Sequence, residues 1–411
     1  MPIQSAHAQQ AKATPQAVLA TYADMANAKY SDALAAAKVL QMRVNALISS
    51  PSPASLKAAR TAWIDARVPY MQTEVYRFGN PIVDDWEGKV NAWPLDEGLI
   101  DYVDGGYGDQ SEENELYTAN IIANPTLRIS GRPVDASKIT KKLLSETLHE
   151  AGGVEANVAT GYHAIEFLLW GQDLNGTSAG AGKRPATDFD QSKCTNGNCD
   201  RRAAFLATVT DLLIDDLEWI TKQWADGGKA RTNLTNGDPA AGLTAIFTGL
   251  GSLSYGELAG ERMKLGLLLN DPEEEHDCFA DNTHNSHYYN VAGIRNVYLG
   301  RYTKVGGQDV SGASVSDLVR ARAPEIDTRV RKAIEAAMTA FGAMKTRAET
   351  VEAYDQMIAE GNEEGNRVVE TALNASVALA REFERAISAL DLKAIQFEGS
   401  DSLDDPSKVL Q

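Results

Sequence analysis

Residues 158–170 read Val-Ala-Thr-Gly-Tyr-His-Ala-Ile-Glu-Phe-Leu-Leu-Trp, and this stretch carries the clearest indication of the fold. Apart from one tyrosine, its only ionisable side chains are those of His163 and Glu166. At about 100° of rotation per residue, apolar side chains surround almost the whole axis, which predicts a helix buried nearly all round. An i, i+3 spacing makes His163 and Glu166 neighbours on that helix.

A buried carboxylate at Glu166 requires compensation, because removing it from water costs several kcal/mol unless a cation or hydrogen bonds offset the loss. A metal ion is the leading explanation, since imidazole and carboxylate on facing helices build metal sites in helical bundles. Those bundles use the order Glu-x-x-His, which is reversed here. The alternatives are a basic side chain from another helix, a catalytic arrangement, or a simple hydrogen bond between His163 and Glu166.

The composition predicts an all-α protein. The chain has 411 residues, 43% of them hydrophobic, with recurrent alanine-rich segments and little period-two alternation. Its 39 basic and 57 acidic residues give a formal charge of −18, which argues against nucleic acid or an anionic membrane as a partner. No run of about 18 apolar residues is present, so no transmembrane segment is expected.

The N-terminus and the cysteines indicate export. Residues 6–8 read Ala-His-Ala, which has the A-x-A form of a signal-peptidase site. Cys194 and Cys199 flank an Asn-Gly turn signal, so we expect a disulfide formed in an oxidising compartment. The alternative is that the two cysteines bind a metal ion, which would need two further ligands. We interpret Cys278 as a buried thiol.

The periodicity divides the chain into long helices and two irregular regions. Helices are predicted over 15–48, 54–78, 136–150, 154–170, 200–224, 239–269, 323–347 and 361–392. Pro69 should kink the second of these helices. Irregular loops are expected at 79–132 and 172–198. The predicted domains are a tail at 1–14, a first bundle at 15–235, a second bundle at 236–400 and a tail at 401–411.

A second concentration of polar groups lies in the second half. Three of the six histidines fall between residues 276 and 287, and Asp281, His284 and His287 recur at intervals of three. One helical turn would bring Asp281 near His284, which suits iron, zinc or manganese. The alternative is a solvated acidic loop in which Asp281 caps a helix.

Glu257 and Glu261 form a like-charge pair at i, i+4, which is unfavourable unless Arg262 or a cation lies between them. Gly256 and Gly260 remove bulk beside these carboxylates and would admit another backbone or a ligand. An exposed helix face is the competing interpretation.

Several blocks of the chain together resemble one known family. Gly161-Tyr-His-Ala-Ile-Glu166 matches the G-x-H-x-x-E signature of the imelysin-like proteins, and Glu275-His-Asp-Cys-Phe-Ala-Asp-Asn-Thr-His284 resembles their iron-regulated protein A branch. Further similar blocks begin at Trp63, Ala92, Phe167 and Gly256, and the resemblance covers residues 15–390.

The resemblance implies an all-α fold of two similar helical bundles with long irregular loops, and a role in bacterial iron acquisition with the site near the bundle junction. The resemblance and the histidine-rich stretch 276–287 together give the expected metal ligands. These are Glu74, His163, Glu166, Asp281 and His284. Residues expected around them are Arg67, Glu257 and Glu261. Ferric iron suits so many carboxylates best, and zinc is the alternative.

The expected location is the periplasm, with lipid anchoring of the full-length protein left open. The expected partners are a metal ion or small iron complex and an iron transporter of the inner or outer membrane. A different class of function is a helical protein that binds an organic ligand or an iron chelate through Arg67 and the tryptophans.

Peptidase activity rests on the family name, because no complete motif supports it. His149-Glu150 begins the zincin pattern H-E-x-x-H, which fails at Gly153. The inverted pattern H-x-x-E-H starts at His163 and fails at Phe167. We therefore expect a binding protein rather than an enzyme.

Overall fold

A computed structural model describes residues 13–410. The structure is 65% helical with only 4% strand, which confirms the all-α prediction. The Ala-His-Ala stretch at 6–8 and most of the expected tail at 1–14 lie outside the described residues.

The chain forms sixteen labelled helices and two small hairpins within the described residues. The helices are α1 (Pro15–Ser49), α2 (Pro53–Met71), α3 (Pro81–Asn91), α4 (Glu97–Ile100), α5 (Lys141–Leu143), α6 (Gly161–Trp170), α7 (Cys199–Trp224), α8 (Lys229–Thr235), α9 (Pro239–Ser252), α10 (Leu265–Leu269), α11 (Thr283–Leu299), α12 (Val315–Arg322), α13 (Pro324–Thr350), α14 (Tyr354–Ile358), α15 (Glu363–Ala389) and α16 (Asp401–Asp404). The strands are β1 (Thr126–Ile129), β2 (Arg132–Asp135), β3 (Arg301–Thr303) and β4 (Asp309–Ser311), paired antiparallel as β1–β2 and β3–β4. A π-helical segment, Leu253–Lys264, joins α9 to α10, and short 3₁₀ turns lie at Glu74–Tyr76, Ala151–Gly153, Ala186–Phe189, Pro272–Glu274, Cys278–Ala280 and Pro406–Lys408, with a π-turn at Leu144–Leu148.

Three predicted helices are shorter than expected. The helix expected at 54–78 ends at Met71, before the 3₁₀ turn Glu74–Tyr76. The helix expected at 136–150 is helical only from Lys141 to Leu148, because the irregular segment 136–140, which follows β2, occupies its start. The helix expected at 154–170 begins at Gly161. The φ of this residue is 78°, which is unfavourable for any residue that has a side chain. A Cβ there would also collide with the carbonyl of Val90, so glycine lets α6 start directly against α3.

The long helices pack in two groups around one continuous core. The first group contains α1, α2, α6 and α7, and the second contains α9, the π-helical segment, α11, α13 and α15. Contacts of α1 with α9 and of α2 with α11 join the groups. Nearly all buried apolar side chains of these helices form a single cluster, while Met25 and Ala28 of α1 pack against Tyr302. No helix within 13–410 combines the length and the apolar character needed to cross a membrane.

The C-terminal segment 398–404 packs against the π-helical segment Leu253–Lys264. Gly256 and Gly260 lie where a side chain would collide with Glu398 and Ser400, so these glycines admit another backbone. The segment 401–404, expected within a tail, is helix α16, and the Ser402 hydroxyl donates a 3.0 Å hydrogen bond to the Gly260 carbonyl.

The loop 171–198 is held by a disulfide and by buried ion pairs. Cys194 and Cys199 form the predicted disulfide. Asp101 is 1% exposed and accepts from Arg202 Nε at 2.6 Å and from Arg184 Nη1 at 2.7 Å. Because Arg184 belongs to the loop and Arg202 to α7, one carboxylate fixes both.

We expect Asp101→Ala to lower the free energy of unfolding by about 3–5 kcal/mol, because it removes the carboxylate paired with the buried Arg202 and one of the two paired with the buried Arg184. Urea unfolding followed by circular dichroism measures this loss. Asp309→Ala, which breaks the solvent-exposed pair with Arg301, is the matched control and should barely move the midpoint. Equal effects of the two substitutions would contradict the assignment.

Candidate metal centre

His163 and Glu166 form a buried pair on α6. The Nδ1 of His163 lies 2.9 Å from Oε2 of Glu166, and the Ala280 amide donates to Oε1 at 3.0 Å. The side chains are 2% and 0% exposed. When Nδ1–H donates to Glu166, the neutral imidazole keeps a lone pair on Nε2, and this buried atom has no hydrogen-bond partner.

Two side chains from the segment that precedes α11, those of His276 and Asp277, lie close to His163. Its ring centroid lies 4.8 Å from that of His276 in an edge-to-face arrangement. One ligand atom each of His163, His276 and Asp277 lies within 4.8 Å of the other two, and all three residues are buried. We call these three residues the triad. It combines two imidazoles with one carboxylate, a donor set that binds divalent transition metals.

The sequence pattern does not identify His276 and Asp277 as partners of His163. Both precede the 3₁₀ turn Cys278–Ala280, so no helical spacing relates them to His163. The available signal was the crowding of histidines at 276–287.

Arg67 holds the carboxylate of the triad. Its Nη2 donates to Asp277 Oδ1 at 2.8 Å and lies 3.2 Å from Nδ1 of His276. The other oxygen of Asp277 accepts from Asn282 at 2.7 Å and from Ser286 at 2.5 Å. Burial opposes ionisation, but the charge of Arg67, followed by the hydrogen bond with His276, holds the pKa of Asp277 well below its usual value. Asp277 is therefore ionised.

The other carboxylates expected at the site have different partners. Glu74 Oε2 accepts from Arg262 Nη2 at 2.7 Å, and Glu257 Oε1 accepts from Arg262 Nε at 2.8 Å. Glu261 is half-buried and lies near Glu274. Arg262 is thus the partner of Glu74 and Glu257, and none of these three carboxylates belongs to the triad.

Asp281 and His284 also lie outside the triad. Asp281 has a φ of 51° and precedes α11, so it is not on the helix that contains His284. Its neighbours are the carboxylates of Asp355 and Asp173. The helical spacing proposed from the sequence therefore fails at Asp281, while His284 and His287 do lie on α11.

The imidazoles of the triad are neutral at physiological pH. Burial, followed by the charge of Arg67, lowers the pKa of His163 to about 3. Burial, followed by Arg262, lowers the pKa of His276 well below its usual value. Because only neutral imidazole binds a metal, both rings are already in the required form.

A cavity of about 330 Å³ reaches the triad. His163 and His276 lie in its wall, and its aromatic lining consists of Trp93, Tyr107, Tyr117 and Phe279. The Trp93 indole donates to the Glu275 carbonyl at 2.7 Å, which anchors this wall to the segment that carries His276. The cavity has room for more than a bare ion.

Comparison with known families gives a match over most of the chain. The family model described as Imelysin (peptidase family M75) matches residues 26–383. The iron-regulated protein A of Synechococcus elongatus is 34% identical over 67 residues, which are 16% of this chain and 19% of that protein. The chain therefore aligns with under a fifth of that relative's length.

Two solved structures are similar in fold. A protein from Parabacteroides distasonis that carries the name iron-regulated protein A precursor gives a TM-score of 0.65 at 19% identity, covering 93% of this chain and 97% of that one. An imelysin-like protein from Psychrobacter arcticum gives 0.55 at 15% identity, covering 92% and 96%. At these identities the likeness concerns the fold alone.

We expect His163, His276 and His287 to remain neutral at pH 5 in the metal-free protein, where a free histidine with a pKa of about 6.5 is mostly protonated. Burial is the first cause in each case, and it lowers the pKa of His287 to about 3. Nitrogen-15 shifts of labelled histidine between pH 7 and pH 5 measure this. In the unfolded chain these histidines bind protons below about pH 6.5, whereas the buried rings of the folded chain do not. Protonation therefore stabilises the unfolded state, and the free energy of unfolding falls as the pH drops below about 6.5. Ordinary titration of all three rings would contradict the buried site.

Proposed function

Because the chain belongs to the imelysin family, we propose that it binds an iron ion at the triad of His163, His276 and Asp277 and serves bacterial iron acquisition. The observation that carries the proposal is the buried Nε2 of His163. This atom lacks a hydrogen-bond partner, and the ring that carries it belongs to a group with a second imidazole and a carboxylate. A buried polar atom without a partner costs about 1–3 kcal/mol, and a metal ion would remove that cost.

The donor set favours ferrous iron. Two histidines and one carboxylate with open positions are typical of non-haem Fe²⁺ sites. The expectation of ferric iron relied on three carboxylate ligands, Glu74, Glu166 and Asp281, of which Asp281 lies outside the triad. Arg262 engages Glu74, while His163 and the Ala280 amide engage Glu166. Zinc binds the same donors and is the main competitor.

The cavity beside the triad supports binding of iron together with a small ligand. Three protein donors leave further coordination positions, and about 330 Å³ is available next to His163 and His276. Water or a small chelator would complete the coordination from this side. A small iron complex is therefore the second form of the proposed cargo.

The names of the similar proteins and the disulfide support an exported iron protein. Two of these proteins carry the name iron-regulated protein A. A disulfide between Cys194 and Cys199 persists in oxidising compartments such as the periplasm. On this basis we propose a periplasmic location and an iron transporter of the inner or outer membrane as the partner.

We do not extend the proposal to peptidase activity. A metallopeptidase of the zincin type needs a carboxylate free to activate water. Both oxygens of Glu166 are engaged, one by His163 and the other by the Ala280 amide.

We expect His276→Ala to abolish stoichiometric binding of Fe²⁺, because the triad loses one of its two imidazoles. Anaerobic calorimetric titration and elemental analysis measure the stoichiometry, and far-ultraviolet circular dichroism checks that the helices remain. His149→Ala is the matched control, since the His149 side chain is only 8% exposed but is not part of the triad. One iron per chain in the His276 variant would overturn the proposal. Titration with Zn²⁺ and with ferric citrate separates the competing cargoes.

We expect Glu166→Gln to weaken Fe²⁺ binding by roughly 10- to 100-fold without abolishing it. The carboxylate orients His163 through Nδ1 and makes the ring a better donor, so Glu166 is a positioning residue. The change should appear in the dissociation constant, with the stoichiometry retained. Complete loss of binding would instead make Glu166 a ligand, and an unchanged constant would remove it from the site.

A further inference from the structure

The cavity of about 330 Å³ beside the triad offers a ligand no positive charge. Its carboxylic lining residues are Asp96, Glu97 and Glu273. Among the residues that the structure describes, no lysine or arginine lines it. The two imidazoles in its wall are neutral, because burial lowers the pKa of both. A ligand that enters the cavity therefore meets only neutral or negative groups.

The carboxyl groups of the cavity differ in exposure but act in the same direction. Glu273 is exposed to solvent, whereas Glu97 is 6% exposed. Burial, followed by the charge of Glu273, raises the pKa of Glu97 to about 7, so these two groups are close enough to repel each other. A cation between them would relieve that repulsion, and an anion would add to it. Even when protonated, Glu97 gives an anion no opposite charge.

The aromatic lining has the same preference. Trp93, Tyr107, Tyr117 and Phe279 line the cavity, and the rings of Tyr107 and Tyr117 are stacked with their centroids 4.3 Å apart. The faces of aromatic rings carry negative charge density, which attracts cations and repels anions. The uncharged part of the wall therefore adds to the effect of the carboxyl groups.

A second cavity, of about 250 Å³, also reaches His276. Two arginines line it, but both already have acidic partners. Arg262 contacts Glu257 at 2.6 Å, and Arg77 lies 3.6 Å from the same carboxylate. The carboxylates that line this cavity are Glu87, Glu150, Glu155 and Glu257. An anion that approached His276 from this side would also lack a free positive partner.

We propose that the site selects its cargo by charge, so that it admits iron as the hydrated Fe²⁺ cation and excludes anionic chelates such as ferric citrate. This inference rests on the proposed iron site at the triad. Carboxylates of a chelate would lose their water in a cavity that gives them no positive partner, which is strongly unfavourable. Hydrated Fe²⁺ instead balances the negative groups and can exchange bound water for the donors of the triad. An iron complex that does bind must be neutral or positively charged.

Glu273 is the specificity-determining residue in this proposal. It is the exposed carboxylic residue of the cavity lining. An exposed carboxylate at a binding cleft raises the local concentration of cations and lowers that of anions, and salt screens this steering.

The first experiment measures the association rate of Fe²⁺ with the full chain by anaerobic stopped-flow tryptophan fluorescence. We expect Glu273→Lys to slow association roughly 3- to 10-fold at low ionic strength, with the stoichiometry retained, and Glu273→Gln to have a smaller effect in the same direction. In about 1 M NaCl the variants should approach the wild type. Glu370→Lys, an equal charge change at an exposed position of α15, is the matched control and should leave the rate unchanged.

The second experiment is equilibrium dialysis of the wild type against ferric citrate that carries radiolabelled citrate. We expect no citrate to be retained, even where iron is taken from the chelate. Citrate retained in proportion to iron would overturn this inference alone, as would an unchanged Fe²⁺ association rate in Glu273→Lys. Failure of the wild type to bind Fe²⁺ at all would instead overturn the iron site, and this inference with it.

Discussion

The buried ion pair between Arg67 and Asp277 is the interaction on which the candidate metal centre depends. Arg67 lies on α2, Asp277 lies in the segment before α11, and their side chains are 1% and 0% exposed. Such a pair must recover the large cost of removing two charges from water. Asn91 accepts a 2.6 Å hydrogen bond from Arg67, while Asn282 and Ser286 donate to Asp277. These bonds fix the segment that presents His276 against α6.

The placement of arginines separates two kinds of buried carboxylate. Asp277 and Glu74 each contact a guanidinium group at less than 3 Å, whereas Glu275 and Asp355 contact none. Where an arginine is present, the carboxylate can remain ionised without an added ion. Where it is missing, the group must be protonated or bound to a cation. The same short segment therefore carries one buried carboxylate with an arginine partner, Asp277, and one without, Glu275.

Much of the fold could be predicted from the sequence. The long helices α1, α7, α13 and α15 follow the apolar periodicity within a few residues, and the disulfide follows the turn signal between its cysteines. The errors occur where local pattern competes with packing. The helix expected from 154 begins only at Gly161 because α3 lies directly against that residue. Periodicity indicates which face of a helix is apolar, but it does not show where a neighbouring backbone stops the helix.

For the site, the sequence determined the buried helix and the adjacency of His163 and Glu166, because both follow from local spacing. It could not determine that His276 and Asp277 complete the triad, since they lie in an irregular segment with no periodic relation to α6. The spacing of three residues also predicted that Asp281 lies on the same helix as His284. This prediction is wrong, because Asp281 has a positive φ and precedes α11. Only the tertiary structure decided which carboxylates receive an arginine. That distribution arises from burial and from contacts between residues far apart in the chain, and no local pattern records it.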